Sequence, residues 1–358
     1  MASLSRNPCP RCGADVSSDW THCGVCGTPQ IGADEVPDAW IGRVIDRKYT
    51  IEGVLGVGGM GMVFRARRAL VGDTIALKVL YPRFLESPLQ RRLFAAEAVA
   101  SARLSHPNVV HVYDADRDAD GIAYLAMEVL EGRTFRDLLR EEAPLHPATL
   151  LPLAIQICRG LEAAHQARII HRDLKPDNIV LVEQPGGGTQ VKLLDFGIAA
   201  MLDVDNRDEA RKLLGTLRYM SPEQCRGEEI DVRSDLYSLG VVLYEALTRR
   251  RATGKTLTAV INDPVVAPNE ILPPTQHIPI ELEDLLLSLL AKYPDERPPS
   301  ATAVARQLEA ILAGLSRPRI EAPAPVAPPP NPSRFLWIGL GLATAVGITA
   351  GILWGIFG

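Results

Sequence analysis

An eight-residue segment near the middle of the chain, HRDLKPDN at residues 171–178, limits which folds this sequence can adopt. Another acidic residue, Asp195, follows it and precedes a phenylalanine and a glycine. A site that moves a phosphoryl group needs a carboxylate beside the attacking hydroxyl and oxygen ligands for the Mg²⁺ at the phosphates of ATP. We therefore interpret Asp173 as the candidate base, and Asn178 and Asp195 as the candidate metal ligands.

A glycine-rich segment upstream, residues 55–63, has the spacing G-x-G-x-x-G-x-V. Gly56, Gly58 and Gly61 would let the backbone approach phosphates closely, because no Cβ intervenes and a positive φ costs little. The spacing alone is a weak signal, since dinucleotide-binding folds use a similar one and open a helix at the third glycine. Residues 62–67 instead alternate like a strand, which favours a hairpin that covers a nucleotide.

The next apolar segment, residues 74–80, is a predicted strand that contains one lysine. A lysine on such a strand is costly to bury unless it is paired. We expect Lys78 to contact the α- and β-phosphates of ATP and a glutamate on a helix. Glu97 is the candidate partner, because residues 92–100 have helical spacing and no helix breaker.

Together these segments resemble the eukaryotic-type protein kinases, and most of all the bacterial serine/threonine kinases whose loop reads Gly-Gly-Met-Gly, as residues 58–61 do here. The resemblance covers about residues 43–315. It implies an α+β, bilobal fold, in which ATP and Mg²⁺ (or Mn²⁺) lie between a lobe with an antiparallel sheet and a helical lobe. It also implies transfer of the γ-phosphoryl group of ATP to serine or threonine hydroxyls of protein substrates.

The resemblance assigns further residues to the nucleotide cleft. The apolar walls of the adenine pocket are implied at Leu55, Val63, Ala76 and Val180. Met127 has the gatekeeper position, before a hinge at residues 128–130. Lys175 matches the serine/threonine branch, in which such a lysine stabilises charge on the γ-phosphoryl group, and Thr216 resembles the threonine that contacts base and lysine.

Structural positions of the family also have counterparts. Glu223 lies in Ser-Pro-Glu where the family has Ala-Pro-Glu, Arg297 resembles its arginine partner, and Asp235 resembles the aspartate that braces the catalytic loop. His171 is interpreted as a structural residue of that loop. Because no functional position is missing, we expect an active enzyme. The alternatives are a catalytically weak, nucleotide-binding membrane scaffold and a kinase of small molecules.

Arg172, before the candidate base, raises a question of regulation. In kinases of this kind such an arginine usually pairs with a phosphate on the activation loop, yet residues 198–215 contain no serine, threonine or tyrosine. The acids in this stretch are Asp203, Asp205, Asp208 and Glu209. Two hypotheses stay open: a carboxylate replaces the phosphate and pairs with Arg172, or the acids lie on a solvated loop.

The N-terminal residues 1–30 contain two C-x-x-C-G segments. Their four thiolates suit a tetrahedral Zn²⁺ site, namely Cys9, Cys12, Cys23 and Cys26. We predict a zinc ribbon that folds on metal binding, followed by a linker at residues 31–42. A disulfide pair or a redox motif is disfavoured, because disulfides are rare in the reducing cytoplasm. The ribbon is expected to dock proteins rather than nucleic acid, since the net charge is −5 and no extended basic patch occurs.

The C-terminal residues 335–358 carry no charge and are long enough to span a bilayer core of about 30 Å at about 1.5 Å per residue. Trp337 and Trp354 lie near the ends of this stretch, as interfacial aromatics do. Arginines precede it and none follows, so we predict a single-pass helix in the inner (plasma) membrane with the kinase domain in the cytoplasm. A proline-rich linker, residues 316–334, would separate the two. A buried soluble helix is the alternative.

Small residues recur at every fourth position of the predicted membrane helix, including Gly347, Gly351 and Gly355. Such residues lie on one face and let two helices approach closely. A homodimer through this face or through the kinase domain is therefore one hypothesis, although glycine is common in membrane helices in general.

Two shorter segments have open interpretations. Residues 116–121 imitate the start of a calcium loop, but its twelfth position is Met127 where a bidentate glutamate is required. We predict an acidic hairpin turn there, between strands at residues 109–113 and 122–129. Residues 249–251 are three arginines that could select acidic substrates, touch a membrane surface or lie on an ordinary solvated loop.

Overall fold

The fold was analysed in a computed structural model that describes residues 6–8, 15–17, 37–58, 61–81, 94, 102, 104–196, 218–254 and 256–315. The chain divides into two units, Met1–Ser316 and Arg317–Gly358. The predicted membrane span at residues 335–358 lies outside the described residues. So do the activation-loop acids and the residues Cys9, Cys12, Cys23, Cys26, Glu97 and Thr216. Within the described ranges, no helix is both long and apolar enough to cross a membrane.

Two short strands lie near the N-terminus, β1 (Arg6–Pro8) and β2 (Asp15–Ser17). They pair in antiparallel fashion with Pro8 opposite Asp15.

A six-stranded antiparallel sheet forms the first lobe, in the order β3-β4-β5-β6-β8-β7. Its strands are β3 (Val44–Ile45), β4 (Tyr49–Val57), β5 (Gly61–Arg68), β6 (Thr74–Leu80), β7 (Val112–Arg117) and β8 (Ala123–Met127). Strand β6 is buried on both faces, since its side chains alternate between two apolar clusters. Leu77 and Val79 pack in one core, and Ala76 and Leu80 in another. Lys78 therefore shares the face of Ala76 and Leu80.

The second lobe is helical. Its helices are α1 (Phe135–Glu142), α2 (Pro147–Gln166), α3 (Pro222–Arg226), α4 (Val232–Thr248), α5 (Leu257–Asn262), α6 (Pro268–Ile271), α7 (Ile280–Leu289) and α8 (Ala301–Leu315). A three-stranded sheet, in the order β11-β10-β9, lies with them: β9 (Arg133–Thr134), β10 (Ile179–Glu183) and β11 (Thr189–Leu193). The two sheets and the helices agree with the predicted α+β, bilobal fold.

Helix α4 is the centre of the second lobe. Its side chains are buried from Ser234 to Thr248, and polar ones such as Asp235 and Glu245 are among them. The Asp231 carboxylate caps its start by accepting a hydrogen bond from Arg233 N at 2.7 Å. Arg249 ends it in the left-handed region, with φ of 56°. Such a helix provides a rigid base for the loops that pack against it.

The predicted acidic hairpin turn joins β7 and β8. Gly121 has φ of 84°, and Asp118 Oδ1 accepts hydrogen bonds from Asp120 N at 3.0 Å and Ile122 N at 2.8 Å. The strand predicted at residues 109–113 runs instead from Val112 to Arg117. Backbone pairing with β8 continues through its polar residues, because a ladder does not require apolar side chains.

Candidate active site

The catalytic loop brings three of the predicted site residues together. Lys175 Nζ lies 2.6 Å from Asp173 Oδ2. Asn178 Nδ2 donates to the Asp173 backbone oxygen at 2.9 Å and to Asp173 Oδ2 at 3.1 Å. Leu174 between them is fully buried and anchors the loop in the core. The loop therefore presents a carboxylate, an ammonium and an amide as one group.

Helix α4 holds this loop through Asp235. The Asp235 carboxylate is fully buried and accepts hydrogen bonds from the backbone amides of His171 at 2.8 Å and Arg172 at 2.9 Å. Arg172 has φ of 64°, in the left-handed region that non-glycine residues rarely adopt. The two hydrogen bonds stabilise that conformation, which is the bracing contact expected at this position.

The His171 side chain packs against a neighbouring ring and forms no hydrogen bond with the described residues. Both of its ring nitrogens are buried without a hydrogen-bond partner in the described part of the chain. Its ring centroid lies 4.6 Å from that of Phe196, next to Asp195. This agrees with the interpretation of His171 as a structural residue.

Lys78 crosses the cleft to meet Asp195. Its Nζ lies 2.6 Å from Asp195 Oδ1, and the lysine itself is 5 % exposed on strand β6. Burial would raise the pKa of the Asp195 carboxyl, but the Lys78 ammonium outweighs this effect and the pKa lies below its ordinary value. Asp195 is therefore ionised at neutral pH, as a metal ligand must be. The expected partner Glu97 lies outside the described residues.

Asn178 and Asp195 fit a divalent cation by their donor chemistry. Leu194 N donates to the Asn178 backbone oxygen at 2.9 Å, so the two candidate ligands lie on adjoining segments. The Asn178 side-chain nitrogen is engaged with Asp173, which leaves its amide oxygen for a ligand. Carboxylate and amide oxygens are hard ligands of the kind that Mg²⁺ prefers.

Two of the predicted adenine walls, Val63 and Ala76, lie with the gatekeeper Met127 on one face of the first sheet. Ala76 pairs in register with Met127, and both belong to one apolar cluster against which Val63 packs. Val180 is buried in strand β10 of the second lobe. Leu55 is 44 % exposed in strand β4.

The glycines of the loop differ in what they provide. A Cβ at Gly61 would lie 2.1 Å from the carbonyl oxygen of Val79, so the neighbouring strand requires glycine at this position. A Cβ at Gly56 would meet nothing within 4 Å. Gly58 N donates to Gly61 O at 2.9 Å and closes the turn. None of the three glycines has a positive φ, so the backbone conformation does not itself require glycine at these positions.

A buried ion pair holds helix α3 in the second lobe. Arg297 donates to Glu223 through two nitrogens, at 2.7 and 2.8 Å, and Ser234 Oγ donates to the same carboxylate at 2.5 Å. Burial would raise the pKa of Glu223, but these hydrogen bonds lower it to about 2. The pairing that the resemblance implied is present.

A polar cluster that the sequence did not predict lies beside the catalytic loop. Arg136 on helix α1 donates to the hydroxyl of Tyr219 at 2.6 Å and to Glu245 Oε1 at 3.2 Å. It also donates to Asp177 Oδ2 at 3.2 Å. These contacts join residues far apart in the chain, so no spacing within a short segment predicts them.

Comparison with known proteins places these features in a family. The family model described as "Protein kinase domain" matches residues 49–308. The chain is 37 % identical over 284 residues to "Serine/threonine-protein kinase pkn3" of Myxococcus xanthus, covering 76 % of this chain and 52 % of that protein. It is 37 % identical over 303 residues to "Serine/threonine-protein kinase A" of Synechocystis sp., covering 79 % and 57 %. The chain thus spans about half the length of these curated relatives.

A solved structure is similar as well. The crystal structure of the M. tuberculosis PknI kinase domain superposes with a TM-score of 0.62 at 26 % identity, covering 76 % of this chain and 98 % of that one.

Proposed function

Because the chain belongs to the protein kinase family, we propose that it transfers the γ-phosphoryl group of ATP to serine or threonine hydroxyls of proteins. One observation carries the proposal: Asp173, Lys175 and Asn178 contact one another on a single loop. Asp195, on the adjoining segment, contacts Lys78 from the opposite lobe. The named serine/threonine kinases among the relatives support the choice of hydroxyl.

Each residue of this group has a role in the proposed reaction. Asp173 accepts or orients the proton of the attacking hydroxyl, and Lys175 beside it stabilises charge on the moving phosphoryl group. Lys78 positions the phosphates. Asn178 and Asp195 would hold Mg²⁺, which neutralises phosphate charge when bound.

The cleft itself would hold the rest of the nucleotide. Val63, Ala76 and Met127 provide an apolar surface for adenine, with Leu55 and Val180 as the remaining walls. The loop with Gly56, Gly58 and Gly61 covers the phosphates.

The test is phosphorylation by the full-length chain. With labelled ATP, Mg²⁺ and a generic protein substrate, we expect label on phosphoserine or phosphothreonine. Asp173→Asn should lower the rate by about 10²- to 10⁴-fold, the usual contribution of a positioned base. Equal labelling by the wild type and Asp173→Asn would refute the proposal and favour the nucleotide-binding scaffold; label confined to small molecules would indicate the other alternative.

We also propose that residues 1–30 bind one Zn²⁺ through Cys9, Cys12, Cys23 and Cys26, and dock a protein partner. The pairing of β1 with β2 supports this, since Cys9 and Cys12 fall in the sequence that joins two paired strands. Purified protein should contain stoichiometric zinc, and replacing Cys23 and Cys26 by serine should release it. Zinc content that is unaffected by the replacement would exclude the site.

Membrane anchoring through residues 335–358 is a further proposal, supported by the uncharged sequence. Deleting these residues should move the protein from the membrane fraction to the soluble fraction.

Leucine at Gly347 and Gly351 should abolish self-association in a membrane two-hybrid assay if the glycine face, with Gly355, forms a dimer. Unchanged fractionation or association would exclude the respective proposal.

For regulation, we propose that an activation-loop carboxylate pairs with Arg172 in place of a phosphate. The candidate acids are Asp203, Asp205, Asp208 and Glu209. Neutralising all four should lower activity if one of them orders the loop, and unchanged activity would support the solvated-loop alternative.

A further inference from the structure

Helix α3 contributes one side chain, Gln224, that reaches the catalytic loop. Gln224 Nε2 donates to the backbone oxygen of Arg172 at 2.8 Å. Its Oε1 accepts hydrogen bonds from Ser221 N at 2.9 Å and from Ser221 Oγ at 3.2 Å. Because a backbone oxygen can only accept and a backbone amide can only donate, these partners fix which end of the Gln224 amide faces the loop.

The oxygen that Gln224 contacts belongs to the peptide bond between Arg172 and Asp173. Asp173 N donates to His171 O at 2.8 Å, so residues 171–173 form a three-residue turn. Arg172 is the central residue and has φ of 64°, which corresponds to the rarer, strained form of such a turn. A strained turn persists only where its surroundings hold it. The orientation of Asp173 therefore depends on groups outside the turn.

Two helices hold the turn from its two sides. The Asp235 carboxylate of helix α4 accepts from the backbone amides of His171 and Arg172 at 2.8 and 2.9 Å. These amides precede the Arg172 Cα, whereas the carbonyl that Gln224 contacts follows it and adjoins Asp173. Asp235 therefore fixes the start of the turn, and Gln224 fixes the peptide plane from which Asp173 extends.

Helix α3 is itself held in place, so Gln224 reaches the loop from a fixed base. Glu223, the preceding residue, accepts two hydrogen bonds from the buried Arg297 at 2.7 and 2.8 Å. At the start of the helix, Ser221 Oγ accepts from Gln224 N at 3.4 Å and completes a capping box. A side chain on a supported element positions a catalytic group more precisely than one on a loop.

We propose that Gln224 is a positioning residue for the candidate base Asp173, acting through the peptide bond that precedes it. This inference rests on the proposed kinase function and adds a residue to it. A small displacement of a catalytic group lowers the rate steeply, so loss of the bond to Arg172 should lower kcat by about 10- to 100-fold. KM for ATP should change little, because the effect falls on the chemical step and not on nucleotide binding.

The variant Gln224→Glu separates this role from helix capping. Glutamate keeps an oxygen that accepts from Ser221 N, and Ser-x-x-Glu is itself a capping box. An ionised carboxylate, however, has no donor for the Arg172 carbonyl. In the full-length chain we expect kcat per ATP-binding site to fall by about 10- to 100-fold, with a melting temperature within about 2 °C of wild type. Titration with ATP counts the binding sites, so an unfolded fraction does not mimic the effect.

Ser221→Ala is the matched control. It removes the capping hydroxyl and leaves the hydrogen bond from Gln224 to Arg172 in place, and alanine is the residue that the family pattern has at this position. The variant should have a lower melting temperature, because a capping side chain is lost. Its kcat per ATP-binding site should equal that of wild type.

If Gln224→Glu does not fold, as judged by its thermal unfolding, Gln224→Met decides. Methionine has a similar length but neither charge nor donor, so it should lower kcat per site in the same way. Wild-type kcat per site in the variant that folds, or an equal loss in Ser221→Ala, would overturn the inference and leave the kinase function intact. So would a raised KM for ATP with unchanged kcat. Labelling by the wild type no faster than by Asp173→Asn would refute the kinase function and the inference with it.

Discussion

A charged side chain that is buried must contact a side chain of opposite charge. Lys78 and Arg297 are each 5 % exposed, and Glu223 is 1 % exposed. Each pairs with a carboxylate or cation from a distant part of the chain, since an uncompensated buried charge costs several kcal/mol. The exposed ion pairs of the surface carry no such constraint. Buried charged residues are therefore a better guide to the position of the active site than surface charges are.

The Glu223 carboxylate should make stability depend on pH. Its pKa of about 2 lies below the ordinary value of 4.5, so it stabilises the fold above the ordinary value and loses that effect as the pH falls from about 4.5 towards 2. The shift corresponds to roughly 3 kcal/mol at neutral pH. Urea unfolding of Glu223→Gln should show a loss of about this size at neutral pH, and the difference from wild type should narrow below about pH 4.5.

Glu228→Gln is the matched control for this prediction. Glu228 is exposed and pairs with Arg226 at 3.2 Å. Its replacement should change stability by about 0.5 kcal/mol or less. Equal stability of the two variants at neutral pH would contradict the argument from burial.

Strands and helices position these residues. Where two elements approach closely, only glycine fits between them. Strand β5 approaches β6 so closely at Gly61 that a Cβ would meet the Val79 carbonyl. Helix α4 approaches α7 closely at Gly240, where a Cβ would lie 2.8 Å from Leu289 Cβ. At both positions the close approach of neighbouring elements requires glycine. A motif in the sequence can thus combine residues with different physical purposes.

Alanine at Gly61 and alanine at Gly56 should therefore differ. Gly61→Ala should destabilise the protein by about 1 to 3 kcal/mol, because the strands must separate to admit the methyl group. Gly56→Ala should leave stability unchanged or raise it by about 0.4 to 1 kcal/mol, while weakening ATP binding. Thermal unfolding and nucleotide titration of both variants provide the measurement. Equal melting temperatures would contradict the assigned contact.

Helix α4 should control the catalytic loop through Asp235. Asp235→Asn converts one backbone-binding oxygen into a donor, which should let the loop shift and lower kcat by about 10²-fold. The same substitution at Asp231 should have little effect, because asparagine caps a helix as well as aspartate does. Steady-state kinetics at saturating ATP tests the pair. Wild-type kcat in Asp235→Asn would show that the loop holds its shape without this brace.

The two lobes are joined beside the cleft by contacts that cross between them. Lys192 on strand β11 donates to Glu128 Oε1 at 2.6 Å, and Val110 N donates to Leu193 O at 2.9 Å. Lys78 and Asp195 form a further contact across the cleft. Under the proposed function, nucleotide and metal bind between lobes that touch at these points.

Binding of Mg²⁺ with ATP should therefore stabilise the whole kinase domain. At a hundredfold excess over Kd, a ligand of the native state adds about 2.7 kcal/mol. Asp195→Asn should remove the part of this gain that requires Mg²⁺, since it replaces a charged ligand by a neutral one. Thermal unfolding with ATP, with and without Mg²⁺ and EDTA, measures the effect.

Asp116→Asn serves as the control, because Asp116 is an exposed acid on the hairpin of β7 and β8. It should keep the full Mg²⁺-dependent stabilisation. An Mg²⁺ effect of the same size in Asp195→Asn would argue against Asp195 as a metal ligand.

The order of the motifs in the sequence, through their resemblance to the protein kinases, predicted the bilobal fold, and the catalytic-loop motif predicted the grouping of Asp173, Lys175 and Asn178. Those three side chains lie within five residues of one another, so their proximity follows from a short stretch of chain, which Asp235 then holds in place. The alternation and apolar content of strand β6 likewise predicted a buried strand with a lysine that needs a partner. Such signals are local, and a single chain carries them without any alignment.

Contacts between residues distant in the chain depend on the tertiary structure. Lys78 contacts Asp195 across 117 residues, and Arg136 contacts Glu245 across 109. The strand contact at Gly61 also depends on how two strands pack. No spacing in the sequence encodes such contacts, because they depend on which faces of strands and helices come together once the apolar surfaces are buried.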